Sequence, residues 1–231
     1  MLIAVLDTET TGIPVDLDDG RPHPVRHYIE EPRVIEVGAV LFSLTERGVD
    51  VVDTFDSLAR PEDALWRDRI EETERFHRIT TRMLEAAPRD FEVGRALEDW
   101  LLAQRPACLV SYRVAFDFHC KLLGSTTWLA RVLQVLPIGP CLMELAARAA
   151  GRSERTISLQ RAREHFGLPP LTQPHWALCD ARGAGELIPK IWPPEWRPPA
   201  PNSLDEAKGE APPLSRWELL GEAAKGSAEH G

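Results

Sequence analysis

Asp7 and Glu9 stand two residues apart where the apolar run Leu2-Ile3-Ala4-Val5-Leu6 gives way to Asp7-Thr8-Glu9-Thr10-Thr11-Gly12. Residues two apart on an extended segment point to the same face, so these carboxylates would lie side by side at the exit of a buried strand. Paired hard oxygen donors with no Lys or Arg beside them are what Mg²⁺ or Mn²⁺ requires. A solvated turn capping a strand has the same appearance, and this pair alone does not decide between the two.

Two more segments carry chemistry. Asp117 follows Val114-Ala115-Phe116, with Val114, Ala115, Phe118 and Leu122 placed to face a core. It reads either as a ligand or as an acid favoured by the dipole in the first turn of a helix. His175 and Asp180 lie five residues apart, about 140° around an ideal helix, so both cannot share a face inside one. Pro174 suits a first helical turn, which places His175 at the helix start, free to swing toward a site that Asp180 reaches from the helix body. A capping or surface histidine fits that position too.

The elements that must position these residues are legible as periods. Leu2–Leu6 reads as a central strand buried on both faces. Residues 13–32, with Pro14, Pro22, Pro24, Pro32, Gly20 and an acidic run Asp16–Asp19, read as a long loop in which His23 and His27 either touch a substrate or, the favoured reading, are solvated. Arg33–Ser43 and Val49–Leu58 read as an antiparallel hairpin turning at Glu46-Arg47-Gly48. From about residue 80 the period becomes helical: Thr80 or Thr81 is an N-cap, Pro88 a break, and Asp90–Gln104 a helix with Phe91, Val93, Leu97, Leu101 and Leu102 as its stripe. A buried strand at Ala107–Val110, a helix from about Val114 to Leu123, a strand-like Leu136–Cys141, and helices at Leu142–Ala150, Ser158–Phe166 and Pro174–Ile188 complete the series. Three leading strands followed by alternating helices and strands predict an α/β domain around a mixed sheet.

At 231 residues and 43% hydrophobic, the chain is long enough for one well-buried domain and a tail. A net charge of −9 argues against a protein that coats duplex DNA by charge alone, though not against one that grips a few nucleotides. Cys108, Cys120, Cys141 and Cys179 are widely spaced in apolar surroundings, which predicts buried thiols in a reducing compartment rather than a zinc site or disulfide framework. No apolar run reaches the roughly 18 residues of a membrane span, and a cytoplasmic location is expected. Trp66, Trp100, Trp128 and Trp176 read as packing residues. Beyond Ile188, Pro189, Pro193, Pro194, Pro198, Pro199 and Pro201 break regular structure, and residues 189–231 are expected to form a mostly disordered tail. Within it, residues 214–223 carry Leu214, Trp217, Leu219 and Leu220 and form a candidate docking segment.

Taken together, Asp7-Thr8-Glu9-Thr10-Thr11-Gly12 at the end of strand one, Phe116-Asp117 after a buried strand, and His175 followed by Asp180 in a late helix resemble the DEDDh (DnaQ-like) 3′→5′ exonucleases, a family that includes the proofreading epsilon subunit of bacterial DNA polymerase III. The resemblance spans roughly residues 2–188. Val34-Ile35-Glu36-Val37-Gly38-Ala39-Val40 is similar to the family's second strand, Phe76-His77-Arg78-Ile79-Thr80 to its His-Gly-Ile-Thr segment, and Ile157-Ser158-Leu159 to the start of its penultimate helix. The chain departs from the family at Tyr112-Arg113, usually His-Asn, and at Arg78, usually Gly. Arg113 then either contacts a phosphate or is a solvated surface charge.

The resemblance implies a ribonuclease H-like fold with helices flanking the mixed sheet. It implies that Asp7, Glu9, Asp117 and Asp180 hold two Mg²⁺ or Mn²⁺ ions, with His175 as general base. Thr10, Thr11, Gly12, His77, Ile79 and Thr80 would line the pocket for the terminal nucleotide. The expected activity is release of nucleoside 5′-monophosphates from single-stranded or frayed 3′ ends of DNA, in proofreading or repair, with a polymerase or other protein docking on the tail. A 3′→5′ exoribonuclease uses the same residues. A non-catalytic adaptor on this fold is the reading from another class, and the presence of all five site residues weighs against it.

Overall fold

A computed structural model of the chain describes residues 1–14, 28–29, 31–119, 122–125 and 128–199. Strands β1 (Leu2–Thr10), β2 (Ile13–Pro14), β3 (Tyr28–Ile29), β4 (Val34–Thr45) and β5 (Gly48–Leu58) come first. Helices α1 (Trp66–His77), α2 (Thr81–Ala86) and α3 (Asp90–Gln104) lead to β6 (Cys108–Ser111). Helices α4 (Val114–Asp117), α5 (Val132–Val135), α6 (Leu142–Ala149), α7 (Leu159–His165), α8 (Ala177–Gly185) and α9 (Ile188–Ile191) follow.

The main sheet has the order β5-β4-β1-β6. Strand β1 is antiparallel to β4 and parallel to β6, so the sheet is mixed, as the order of elements predicts. Alternation along β1 divides the core. Ile3 and Val5 face a cluster shared with α6, α7, α8 and α9, while Ala4 and Leu6 face one shared with α3 and residues 118–132. The odd-numbered face of β1 is therefore the one that continues to Asp7 and Glu9, and it is the face on which α8 lies.

Several elements depart from expectation for identifiable reasons. Helix α1 was not expected: only Trp66, Ile70, Thr73 and His77 are buried along it, and two of these are polar, so its stripe is weak in the sequence. The helix expected over 114–123 stops at Asp117, after which the chain turns tightly, with Leu123 N–H donating to Asp117 O at 3.1 Å. Leu136–Cys141 makes only a single bridge, Ile138 to Leu109, because Pro137 and Pro140 have no N–H to continue a ladder. Helix α8 begins at Ala177 and ends at Gly185, and the chain continues into α9, so the first residues of the expected tail, Pro189 to Ile191, are helical. Pro189 falls in the first turn of α9, where its missing N–H costs nothing. Trp192 and Trp196 stack edge-to-face at 4.9 Å and pack against the α6–α9 core.

Within the expected loop, β2 and β3 pair as two short parallel strands. Residues 15–27, with His23 and His27, lie outside the described residues, as does the candidate docking segment 214–223. Cys108, Cys141 and Cys179 are free thiols, and Cys120 lies outside the described residues. Among the described residues no helix is long and apolar enough to cross a membrane.

The departure at Arg78 has a backbone consequence. Arg78 caps α1 in the left-handed region, φ 61° and ψ 13°, where an L side chain costs about 1–2 kcal/mol and glycine costs nothing sterically. Glycine in turn makes the unfolded chain more flexible. We expect Arg78→Gly to raise unfolding stability by roughly 0.5–1 kcal/mol in denaturant titration. A loss of stability would mean that the Arg78 side chain holds the turn in place.

Candidate active site

The site is built from one face of β1, the start of α8 and the segment after β6. Asp7 and Glu9 are half-buried on the α8 face, and between them Thr8 turns the other way to donate its hydroxyl to Asp117 Oδ1 at 2.8 Å. Asp117 is itself buried, at the end of α4. In β4, Gly38 lies opposite Asp7 and Glu36 opposite Glu9. Directly opposed residues of antiparallel strands share a face, so Glu36 joins the carboxylate side.

Asp180 enters from the first turn of α8. Ligating atoms of Glu9, His175 and Asp180 all lie within 4.8 Å of one another. His175 stands outside the helix, exposed, with φ 64°, and its backbone N–H donates to Asp180 Oδ2 at 3.2 Å. The helix start expected at Pro174 is not seen: Pro174 and His175 lie in a turn before α8, and the left-handed backbone at His175 brings together a histidine and an aspartate that no single helical face could unite.

The electrostatics are those of carboxylates set close together. Burial, followed by repulsion from Asp117, Asp180, Glu9 and Glu36, raises the Asp7 carboxyl well above the usual range. Burial and then Asp180, Glu36 and Asp117 do the same to Glu9. Burial lifts Asp117 to about 6, even though the Thr8 hydroxyl and the charge of Arg113 favour its ionised form. Burial also raises Asp180, opposed by the hydrogen bond and charge of His175 and by Arg163. Asp180 Oδ1 is buried without a hydrogen-bond partner. An orphaned carboxylate oxygen among carboxylates that repel one another fits a divalent cation, and the oxygen donors Asp7, Glu9, Asp117 and Asp180 suit Mg²⁺ or Mn²⁺.

The residue that sequence reasoning did not assign to the site is Glu36. Burial lifts its carboxyl to about 7, opposed by the Ala177 N–H that it accepts at 3.1 Å, with Asp56 and Asp180 adding repulsion. The available signal was a charged side chain in the middle of a strand that is otherwise apolar and central, where burial of an unpaired carboxylate is rare.

These shifts set a pH dependence for the metal-free protein. Asp117 and Glu36 bind protons more tightly folded than unfolded, so they favour the folded state at low pH. That contribution is lost as pH rises from the ordinary carboxyl values near 4 toward the folded values of about 6 and about 7. We expect Mn²⁺ to raise the melting temperature more at pH 8 than at pH 5, measured against EDTA controls. An equal or smaller gain at pH 8 would contradict this account of the cluster.

The expected nucleotide-pocket residues border the same end of the sheet. Thr10 Oγ1 donates to Gly12 O at 2.7 Å, and Thr11 exchanges two bonds with the Arg33 backbone, each 3.0 Å. The Thr80 hydroxyl caps α2 by accepting from Met83 N–H, and Ile79 is buried. His77 is 2% exposed; burial, then the charge of His175, lowers it to about 4. Its Nδ1 accepts the Ile79 N–H at 3.0 Å, so the proton of this neutral ring sits on Nε2, which is buried and has no partner. Arg113 lies near enough to Asp117 to favour its charge and stacks over Phe116 at 5.5 Å, which places it beside the cluster.

Residues 4–188 match the model of a family described as exonuclease (RNase_T). The fold is similar to that of the nuclease domain of 3′hExo, a DEDDh family member solved bound to rAMP: 19% identity, 87% of this chain, 96% of that one, TM-score 0.52. It is similar also to a full-length 3′-exonuclease (16% identity, 87% of this chain and 71% of that one, TM-score 0.54). A third likeness is to S. pombe Pop2p in an Mg²⁺- and Mn²⁺-bound form (15% identity, 82% and 84%, TM-score 0.54). No match is found among curated proteins.

Proposed function

This chain belongs to the exonuclease family, and we propose on that basis that it is a DEDDh-type 3′→5′ exonuclease releasing nucleoside 5′-monophosphates from single-stranded or frayed 3′ ends of DNA. The observation that carries the reading is the convergence of Glu9, Asp180 and His175 within 4.8 Å, beside the half-buried Asp7 and the buried Asp117, which repel one another. In this reading Asp7, Glu9, Asp117 and Asp180 hold two Mg²⁺ or Mn²⁺ ions. Divalent cations in such a cluster supply charge neutralisation and Lewis-acid activation at the scissile phosphate.

The chain's own residues do the rest. His175, held outside α8 by its left-handed backbone and tied to Asp180, is exposed on the side from which a strand end would enter, and it accepts the proton of the attacking water. Water oxygen bonds to phosphorus, the bond from phosphorus to the 3′ oxygen breaks, and the terminal nucleotide leaves with its 5′-phosphate. Thr10, Thr11, Gly12 and Ile79 form the floor against which that nucleotide rests, and the spare Nε2–H of His77 is a donor at its edge.

Excess negative charge makes substrate retention weak, so we assign delivery of the strand to a protein partner, such as a polymerase, docking on residues 214–223. An RNA strand is the second reading, favoured by the likeness to a nuclease domain that holds rAMP. Product analysis by chromatography tests the chemistry: 5′-dNMP from a DNA oligomer is expected, with slower release of 5′-NMP from the matched RNA. Nucleosides, 3′-monophosphates or intact oligomer would contradict the proposal, and faster release from RNA would transfer it to the second reading.

A further inference from the structure

We propose that Glu36 is a positioning residue, capping the start of α8 from the neighbouring strand so that His175 and Asp180 are held in register with Asp7 and Glu9. The inference rests on the exonuclease reading of that site. The first N–H groups of any helix lack intrahelical acceptors. Trp176, the N-cap of α8, supplies no side-chain bond, and the Ala177 N–H instead donates to Glu36 Oε2 at 3.1 Å, across 141 residues of sequence.

Two residues further along β4, Gly38 completes the seat. A Cβ at Gly38 would fall on the backbone of Ala177 and Leu178, so the helix rests directly on the strand, a contact only glycine permits. Gly38 lies opposite Asp7 and Glu36 opposite Glu9. The two residues that fix α8 in space are therefore cross-strand neighbours of the two carboxylates it must meet. Ala177, the atom group held by Glu36, sits two residues after His175 and three before Asp180.

The other end of α8 is anchored separately. Arg163, 3% exposed, donates to Gly183 O at 2.7 Å and pairs with Glu186 at 2.8 Å, and Gly185 is packed against the Phe42 ring. Losing the Glu36 bond should therefore loosen the first turn of α8 and leave the rest in place. A hydrogen-bond acceptor of the same length is all this role needs, so glutamine should serve nearly as well as glutamate. Direct metal ligation by Glu36 would not be served by glutamine.

The test compares Glu36→Ala and Glu36→Gln in the full chain by steady-state kinetics on a DNA oligomer with saturating Mn²⁺, by Mn²⁺ titration calorimetry, and by amide hydrogen exchange. Glu36→Ala is expected to lower kcat at least about ten-fold with KM within about three-fold, since displacement of a catalytic group by about 1 Å costs up to a hundred-fold. Amides at 177–180 should exchange faster while those at 183–186 keep their protection, and Glu36→Gln should restore both kcat and protection. Unchanged kcat or exchange in Glu36→Ala overturns the inference. So does a Glu36→Gln variant as inactive as Glu36→Ala that has also lost Mn²⁺ uptake, because that makes Glu36 a ligand. If the wild type cleaves no strand, the exonuclease reading fails instead, and the exchange data still decide whether Glu36 seats the helix.

Discussion

Asp7→Asn is expected to abolish turnover, by at least about a thousand-fold, and at the same time to stabilise the metal-free protein at pH 8. The first effect follows from position: Asp7 shares a face of β1 with Glu9 and is repelled by Asp117, Asp180, Glu9 and Glu36, so it belongs to the cluster, and members of a catalytic unit lose most of its activity when removed singly. The second follows from sign. A half-buried carboxylate repelled by four others destabilises the fold when ionised, and asparagine removes the charge with little change in shape. A gain of about 1 kcal/mol would move the melting temperature of a domain this size by roughly 2–4 °C. Calorimetric scans in EDTA and initial rates in Mn²⁺ read the two effects separately, and a variant both inactive and less stable would indicate a structural role instead.

His175→Asn is expected to reduce kcat by roughly 10²–10⁴-fold, the range of general-base contributions, while Mn²⁺ affinity stays close to that of the wild type. Asparagine is the informative replacement because His175 has φ 64°, a conformation asparagine tolerates better than alanine does. The backbone N–H that donates to Asp180 is kept, and the proton acceptor is lost. Because His175 lies within the same 4.8 Å group as Glu9 and Asp180, it has a competing role as a metal ligand. Weakened Mn²⁺ binding in the variant would favour that role, and near-normal turnover would remove His175 from the chemistry.

The parts of the site legible in the sequence were those with a local signature. Asp7 and Glu9 lie two residues apart at the end of an apolar run, which fixes their shared face, and a spacing of five is too far around a helix for His175 and Asp180 to share one, although the Pro174 signal put the helix start ahead of the observed Ala177. Glu36 showed only as a charge within an otherwise apolar strand, and its role was not legible from that because its partner Ala177 is 141 residues away. The same contrast runs through the fold. The β4–β5 hairpin and α3 follow from period and turn chemistry, and α3 has the expected ends, Asp90 and Gln104. Helix α1 buries Trp66, Ile70, Thr73 and His77 at helical spacing, but with two polar members in the stripe the period carries little apolar contrast in the sequence. Arg78 is the converse case: its departure from glycine was visible, but that the position has φ 61° was not.

The polarity and metal dependence of strand degradation test the proposed activity most directly. A 5′-labelled single-stranded DNA oligomer and its RNA counterpart, incubated with wild type or Asp7→Asn in Mg²⁺, Mn²⁺ or EDTA, should give a ladder shortening from the 3′ end with wild type and metal only. DNA is expected to be degraded faster than RNA. Immediate release of the labelled 5′ nucleotide, internal cuts, a ladder that persists in EDTA or in Asp7→Asn, or intact strands in every lane would contradict it.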